Sequence, residues 1–158
     1  MLDYRIRPAI VDDVMFLADL IIDATRAQGR LPVDFDEQQW RQWFGEWTLE
    51  EIEGPGSSST TSVIEVDRER VGRLRIDRTA DHLELCGIQL LPRIQRRGIG
   101  TAIIEDLQAQ AVSAGVPVDL GVEKDNPQAR KLYERLGFVQ VGETRAEHRL
   151  RWNPGGTA

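Results

Sequence analysis

The stretch Gln95-Arg96-Arg97-Gly98-Ile99-Gly100 follows a predicted strand, residues 83–91, and leads into a predicted helix, residues 99–114. The first amides of a helix have no intrahelical acceptor, and together with the helix dipole they bind phosphate groups. Glycine lets such a group approach the main chain closely. Residues 85–104 also contain three arginines and no acidic residue. This stretch therefore predicts an anion site at a strand-to-helix turn.

Two common phosphate-binding motifs do not fit this turn. A dinucleotide-binding fold requires Gly-x-Gly-x-x-Gly, and a P-loop requires Gly-Lys-Ser/Thr after its glycines. Neither pattern occurs in residues 85–104. The alternative to an anion site is an ordinary strand-to-helix turn that carries its arginines incidentally.

A second informative segment, residues 122–138, carries the local signals of a short and sharply bounded helix. Asn126 suits the N-cap, Pro127 suits the first helical position, and Gly137 suits the left-handed residue after the helix end. Tyr133 shares one face with three apolar residues, so we expect it to point toward the sheet with a hydroxyl that needs a partner. By itself, a tyrosine in this position is more often core material than an acid catalyst.

The rest of the chain alternates between helical and strand-like periodicity, with no internal repeat. Apolar residues at helical or alternating spacing predict further helices and strands. A flexible loop is expected over residues 54–61 because glycine, proline and small polar residues dominate it. We expect one domain over residues 1–152 and a disordered tail over residues 153–158. The other predicted elements are strands at residues 4–7, 62–66, 71–76, 118–122, 138–141 and 148–152, and helices at 11–21, 36–52 and 127–136.

Composition excludes several classes of protein. With 158 residues, 41% apolar and 29% charged, the chain suits one soluble α/β domain, and no apolar run approaches the roughly 20 residues of a membrane span. The single cysteine, Cys86, forms no internal disulfide or cysteine zinc cage, and the N-terminus lacks the plan of a signal peptide, so we expect a cytoplasmic protein. A net charge of −6 argues against a nucleic-acid binder.

Together, the two segments resemble the signatures of the GNAT superfamily of acetyl-CoA-dependent N-acetyltransferases. Residues 95–100 are similar to its Gln/Arg-x-x-Gly-x-Gly pyrophosphate loop, and residues 126–138 are similar to its second signature. The order of predicted elements over residues 4–152 resembles the family as well. The resemblance implies a mixed α/β (α+β) fold, in which about four helices flank a mostly antiparallel central sheet of about seven strands.

The resemblance also implies an activity. The expected reaction moves an acetyl group from acetyl-CoA to a primary amine of a small molecule, peptide or protein, by direct attack within a ternary complex. No metal is implied. The alternative is a non-catalytic GNAT-fold protein that binds an acyl-CoA or senses it. A monomer or a homodimer fits either function.

Site residues follow from the resemblance position by position. The main chain of Ile88, Gln89 and Leu90 would pair with the pantetheine arm as an added strand does, and the Leu90 amide would donate to the thioester carbonyl. Asn126 would hydrogen-bond the donor. Tyr133 would protonate the departing thiolate, because a phenol with an ordinary pKa of about 10 is neutral near pH 7. The pyrophosphate would be held by the amides of Gln95, Arg96, Arg97, Gly98, Ile99, Gly100 and Thr101.

The resemblance offers more than one candidate for the general base. Many N-terminal acetyltransferases of the superfamily place a glutamate five residues before the asparagine, where this chain has Gly121. The histone-acetylating branch places one eleven residues before the loop glutamine, which corresponds to Glu84, our first candidate. A solvent-facing structural role for Glu84 is the alternative. Glu123, His148 and an ordered-water relay remain open, and we expect no catalytic role for Cys86.

The acceptor region of this fold usually includes the first two helices, here near residues 26–53. Residues 34–53 contain seven acids and one arginine, which could attract a cationic amine. A solvated helix face is the alternative. Aromatic residues near acids suit an ammonium group, so Trp43 and Trp47 are candidates for substrate binding, although such residues are more often core.

Overall fold

The computed structural model describes residues 3–54, 56 and 58–155. Seven strands form one sheet in the order β1-β2-β3-β4-β5-β7-β6. The strands are β1 (Arg5–Pro8), β2 (Ser59–Val66), β3 (Glu69–Arg78), β4 (Leu83–Leu90), β5 (Val118–Glu123), β6 (Val139–Glu143) and β7 (Glu147–Trp152). The described residues also form four α-helices, namely α1 (Val14–Ala27), α2 (Glu37–Glu53), α3 (Ile99–Ala114) and α4 (Pro127–Arg135).

The sheet is mixed. β4 and β5 are parallel, whereas β1 with β2, β5 with β7, and β6 with β7 are antiparallel. The expected seven-stranded α/β fold with four helices is therefore confirmed. Within the described ranges, no helix combines the length and apolarity needed to cross a bilayer.

The chain divides into two compact units. The first comprises the residues up to Arg75 together with Gly87–Ile99, and the second comprises Ile76–Cys86 and the residues from Gly100 onward. The single domain over residues 1–152 stays a prediction. Of the expected tail, residues 153–155 are described and contain a turn at Pro154 and Gly155, whereas residues 156–158 lie outside the described part.

In the first unit, α1 and α2 supply an apolar core. A cluster of buried side chains, with further apolar residues packed on it, unites the two helices with β2. The members of the cluster are Ala9, Leu17, Ala18, Phe44 and Val63. The Asp36 side chain caps α2 by accepting from the Gln39 amide at 3.0 Å, which fixes the start of the helix that carries Phe44.

Several predicted boundaries in this unit were wrong, including the end of α1, which lies at Ala27 and not at residue 21. The predicted helix from residue 11 begins instead with a 3-10 turn, Val11–Asp13, and α1 starts at Val14. The buried Asp13 accepts from the Arg7 guanidinium at 2.8 and 3.0 Å, an ion pair that apolar periodicity does not reveal. The predicted loop over residues 54–61 is also too long, because β2 begins at Ser59; Pro55 and Ser57 of that loop lie outside the described residues.

In the second unit, β5 and β7 are paired along their whole length. Val118, Leu120 and Val122 are buried, as the alternating pattern predicts. The intervening residues of β5 lie on the opposite face and are polar or glycine. Helix α4 has its predicted N-cap, Asn126, whose side chain accepts from the Ala129 amide at 3.3 Å. Gly137 follows its end with φ +95°, as expected for a left-handed cap.

Candidate active site

The predicted anion loop has an irregular backbone that leads directly into α3. Arg96 and Gly98 adopt left-handed conformations, with φ of +64° and +86°. The Gln95 side chain donates to the Leu90 carbonyl at 3.0 Å and so ties the loop to the end of β4. In the described part of the chain, the amides of residues 96–98 donate to no main-chain carbonyl. With the first amides of α3 they form a set of main-chain donors that suits a phosphate group.

The charge of this loop is lower than the sequence suggests. Arg93 forms an exposed ion pair with Glu69 at 3.1 Å in the first unit. Arg96 and Arg97 are exposed, and no acidic partner is recorded for either among the described residues. The predicted +3 segment therefore presents about two cations to a ligand.

The end of β4 packs tightly against β3 within the first unit. A Cβ at Gly72 would lie 2.7 Å from Leu90 Cδ2 and 2.8 Å from the Gln89 carbonyl oxygen. Gly87 fits the close approach expected of a strand glycine, because a Cβ there would lie 2.7 Å from Nη1 of the buried Arg73. Arg73 also donates to the Gln89 side chain at 3.1 Å. The three candidates at residues 88–90 therefore lie on a closely packed part of the sheet.

The candidate residues are divided between the two units. Ile88, Gln89, Leu90 and residues 95–99 belong to the first, as do Trp43 and Trp47. The second contains Glu84, Gly100, Thr101, Asn126 and Tyr133.

Tyr133 is positioned by the short helix α4. Its side chain is only 9% exposed and its ring packs edge-on against Phe138, with centroids 5.8 Å apart. Burial raises the pKa of the Tyr133 hydroxyl to about 12. This group therefore carries its proton throughout the neutral range, as a proton donor must. Asn126 uses its side-chain oxygen to cap α4, which leaves its NH₂ group to donate.

Glu84 lies in a cluster of charged side chains in the second unit. Arg149 Nη2 donates to Glu84 Oε1 at 3.0 Å, and Arg149 Nη1 lies 3.9 Å from Glu147 Oε1. Glu147 and Arg149 lie beside Gly121, where a Cβ would lie 2.8 Å from Glu147 Cδ and 2.8 Å from Arg149 Nη1. Glu147 and Arg149 were not predicted from the sequence, because their proximity depends on the β5–β7 register. The alternating charges of β7 were the available signal.

The other base candidates differ in their surroundings. Glu123 is exposed at the end of β5, opposite Glu147. His148 projects to the other face of β7, and its buried Nδ1 has no hydrogen-bond partner in the described residues. A further set of contacts around Asp119 was not predicted from the sequence. The His82 ring hydrogen-bonds the Asp119 carboxylate at 2.9 Å, and the Arg151 guanidinium donates to it at 2.7 and 3.0 Å.

In the acceptor region, Trp47 and Glu51 are engaged within the first unit. The Arg75 guanidinium lies over the Trp47 ring, 4.5 Å from its centroid, and donates to Glu51 at 2.8 Å. Burial alone would raise the pKa of Glu51, but hydrogen bonds from Thr61, Arg75 and Ser59 outweigh it and hold the pKa below its usual value. Trp47 thus contacts a cation of the chain itself.

The count of seven acids also overstates the free negative charge. Glu37 accepts from Arg26 and Arg41 at 3.3 and 3.1 Å, and Asp36 caps α2. Trp43, in contrast, is 58% exposed and lines a cleft of about 510 Å³. The other lining residues are Pro32, Asp34, Phe35, Asp36, Gln39 and Trp40.

Metal chemistry has no obvious site in the described ranges. Among residues 3–54, 56 and 58–155, no three His, Cys, Asp or Glu side chains form a group that could hold a metal ion.

Comparison with known sequences places the chain among the acyltransferases. A sequence model of the acetyltransferase (GNAT) family matches residues 17–138, which is most of the chain. The protein therefore belongs to the GNAT acetyltransferase family. The match includes both the anion loop and the segment around Tyr133, so the suspected family is confirmed.

Solved structures share the fold at low sequence identity. The PaiA N-acetyltransferase of Thermoplasma acidophilum, in complex with coenzyme A, has a TM-score of 0.77 at 16% identity, over 96% of this chain and 99% of that chain. An acetyltransferase of Thermus thermophilus has a TM-score of 0.76 at 17% identity, over 96% of this chain and 97% of that chain. A spermidine N-acetyltransferase SpeG chimera from Vibrio cholerae and hSSAT has a TM-score of 0.67 at 18% identity, over 94% of this chain and 92% of that chain.

Proposed function

We propose that the protein transfers an acetyl group from acetyl-CoA to the nitrogen of a primary amine, by direct attack in a ternary complex. The observation that carries this proposal is the anion loop, in which Arg96 and Gly98 are left-handed and the amides of residues 96–98 donate to no main-chain carbonyl of the described residues. Coenzyme A carries a pyrophosphate, and this donor set fits such a group. Family membership and the coenzyme A complex of a structural neighbour support the same donor.

The chain's own residues divide the work of the proposed reaction. The amides of residues 96–101 bind the pyrophosphate, because the Gln95 amide already donates to the Leu91 and Pro92 carbonyls at 3.2 and 3.3 Å. The main chain of Ile88, Gln89 and Leu90 holds the pantetheine arm. The Leu90 amide stabilises the charge that develops on the thioester oxygen. The NH₂ group of Asn126 donates a hydrogen bond to acetyl-CoA. Tyr133, protonated because its pKa is about 12, supplies the proton that the thiolate takes on leaving.

Removal of a proton from the acceptor falls to the charged cluster of the second unit. Glu84 is the base expected from the sequence, but its Oε1 atom already accepts a hydrogen bond from Arg149. A cationic acceptor suits both this cluster and the cleft at Trp43, where Asp34 and aromatic rings lie together. Spermidine is a reasonable first acceptor to test, because a structural neighbour is named for it.

The proposal is tested by binding and then by turnover. A ligand that binds only the folded state at 100 times its Kd raises the stability by about 2.7 kcal/mol, or roughly 5–10 °C in Tm. We expect acetyl-CoA to produce such a shift, and spermidine, a lysine-containing peptide or an aromatic amine to cause amine-dependent release of the CoA thiol. Absence of any shift at saturating acetyl-CoA would refute donor binding.

A non-catalytic acyl-CoA-binding protein is the second candidate. It is favoured by Gly121, because many N-terminal acetyltransferases of the superfamily carry a glutamate at this position and glycine has no carboxylate. This alternative predicts the same thermal shift with no release of CoA for any amine.

A further inference from the structure

Alternating residues of β4, β5 and β7 form one polar face in the second unit. The register pairs Glu84 with Asp119, Gly121 with Arg149, and Glu123 with Glu147. Residues paired in this way point to the same side of a sheet. The polar face is therefore composed of Glu84, Asp119, Gly121, Glu123, Glu147, Arg149 and Arg151.

Gly121 leaves a gap in this face that a neighbouring carboxylate fills. The Cδ atom of Glu147 lies 2.8 Å from the place of a Cβ at residue 121, nearer than real side chains approach one another. The Arg149 Nη1 atom lies at the same distance. The Glu147 carboxylate thus occupies the volume that a side chain of residue 121 would take.

The two carboxylates beside Arg149 are not equivalent. Glu84 accepts a hydrogen bond from Arg149 at 3.0 Å, whereas the 3.9 Å from Arg149 Nη1 to Glu147 is too long for one. No other hydrogen bond to the Glu147 carboxylate is formed within the described residues. Its side chain is 38% exposed, so an ammonium group can reach it. Glu84, Glu147 and Arg149 together carry a formal net charge of −1, which attracts a cation.

The polar face also lies at the end of β5 that leads to the acid candidate. The Asn126 amide donates to the Glu123 carbonyl at 2.9 Å, and the Lys124 amide donates to the Ala146 carbonyl at 2.9 Å. A short turn therefore connects the Glu123–Glu147 pair to α4, which carries Tyr133. A base and an acid on adjoining elements suit a reaction that takes one proton and gives another.

We propose that Glu147 is the general base of the acetyl transfer, an inference that rests on the proposed function. The Glu147 carboxylate takes one proton from the acceptor ammonium, and the freed lone pair forms a C–N bond with the thioester carbonyl. The C–S bond then breaks, and the thiolate takes the Tyr133 proton. The nitrogen loses its second proton as the amide forms, and solvent passes that proton to the Tyr133 phenolate. Glu147 then gives its own proton to solvent, so the balance is one amide, one thiol and one released proton. Glu84 neutralises Arg149 and leaves Glu147 free.

The first test compares conservative variants of the two acids. Glu147→Gln should lower kcat/KM for the amine by about 10²–10⁴-fold, and its rate should follow the free-amine fraction, which rises about tenfold per pH unit in the neutral range. The wild-type rate should depend less on pH, because a base takes the proton of the ammonium itself. Glu84→Gln should keep the wild-type pH profile. The exposed Glu134→Gln serves as the matched control and should equal the wild type. All variants should keep the thermal shift with acetyl-CoA, which excludes unfolding as the cause.

The second test moves the carboxylate to the neighbouring strand. Glu147→Ala should be inactive and should make room at residue 121, so adding Gly121→Glu should restore at least a tenth of the wild-type rate. Turnover by Glu147→Gln within twofold of the wild type would overturn the assignment, as would a pH profile that becomes steeper in Glu84→Gln and stays unchanged in Glu147→Gln. A wild type that binds acetyl-CoA but acetylates no amine overturns both this assignment and the proposed function, whereas an active wild type with an unaffected Glu147→Gln overturns the base alone.

Discussion

Replacing Tyr133 by phenylalanine removes a single oxygen atom from a side chain that is 9% exposed. The ring contact with Phe138 at 5.8 Å remains, and the hydroxyl makes no hydrogen bond with a described residue that the change would break. We therefore expect the free energy of unfolding of Tyr133→Phe to lie within about 1 kcal/mol of the wild-type value. The effect should fall on the reaction instead. Loss of a general acid costs about 10²–10⁴-fold in rate, or about 2.7–5.5 kcal/mol in the barrier.

The pH dependence of the wild type gives this prediction its second part. Because burial raises the pKa of Tyr133 to about 12, only about 1% of the hydroxyl is ionised near pH 10. An ordinary tyrosine would be half ionised there. The step that depends on the Tyr133 proton should therefore show no decline below about pH 11.

The assay follows release of the CoA thiol at saturating acetyl-CoA with one active amine, across neutral and alkaline pH. Tyr4→Phe, which alters the other tyrosine of the chain, is the matched control and should leave the rate unchanged. A Tyr133→Phe rate within twofold of the wild type would falsify the acid role. A decline centred near pH 10 that is present in the wild type and absent from Tyr133→Phe would refute the raised pKa.

Three further changes test other parts of the structure. Asp119→Asn should lower the free energy of unfolding by about 1–3 kcal/mol near neutral pH. Burial raises the pKa of Asp119, but hydrogen bonds from Arg151 and His82 outweigh it and hold the pKa below that of the unfolded chain. The difference between variant and wild type, measured by denaturant unfolding, should therefore shrink as the pH falls below about 4. Gly72→Ala should cost about 1–3 kcal/mol because its Cβ would meet the main chain of β4, whereas Gly142→Ala, with open space around it, should stay within about 0.5 kcal/mol by thermal unfolding. Arg97→Ala should weaken acetyl-CoA binding by about 3–10-fold at low salt, and Arg93→Ala by less because Glu69 pairs with it, as calorimetry at two salt concentrations would measure.

Local signals predicted the elements that local chemistry determines. The cap at Asn126, the left-handed Gly137 and the alternation of β5 depend on residues within a few positions, and each was correctly predicted. The turn that forms the anion loop was located for the same reason, and its binding of an anion stays a prediction. Its arginines and Gly98 are close in the chain, and Gly98 adopts a left-handed conformation.

Long-range pairing explains what the sequence did not reveal. Arg93 meets Glu69 across 24 positions, and Arg75 meets Glu51 across the same separation, so the net charges of the loop and of α2 were both overestimated. The engagement of Trp47 by Arg75 was hidden for the same reason. The partner of Gly121 could be found only once the register of β5 and β7 was known.

The interlocking of Gly121 and Glu147 has a consequence for comparing relatives of this protein. A carboxylate in a given volume of the sheet can originate from either of two neighbouring strands, so an alignment that inspects only the β5 position would classify this chain as lacking it. Positions 121 and 147 should therefore covary across homologues. A relative with a large side chain at 121 should carry a small one at 147, so that a carboxylate would keep its place in the sheet while its place in the sequence changed.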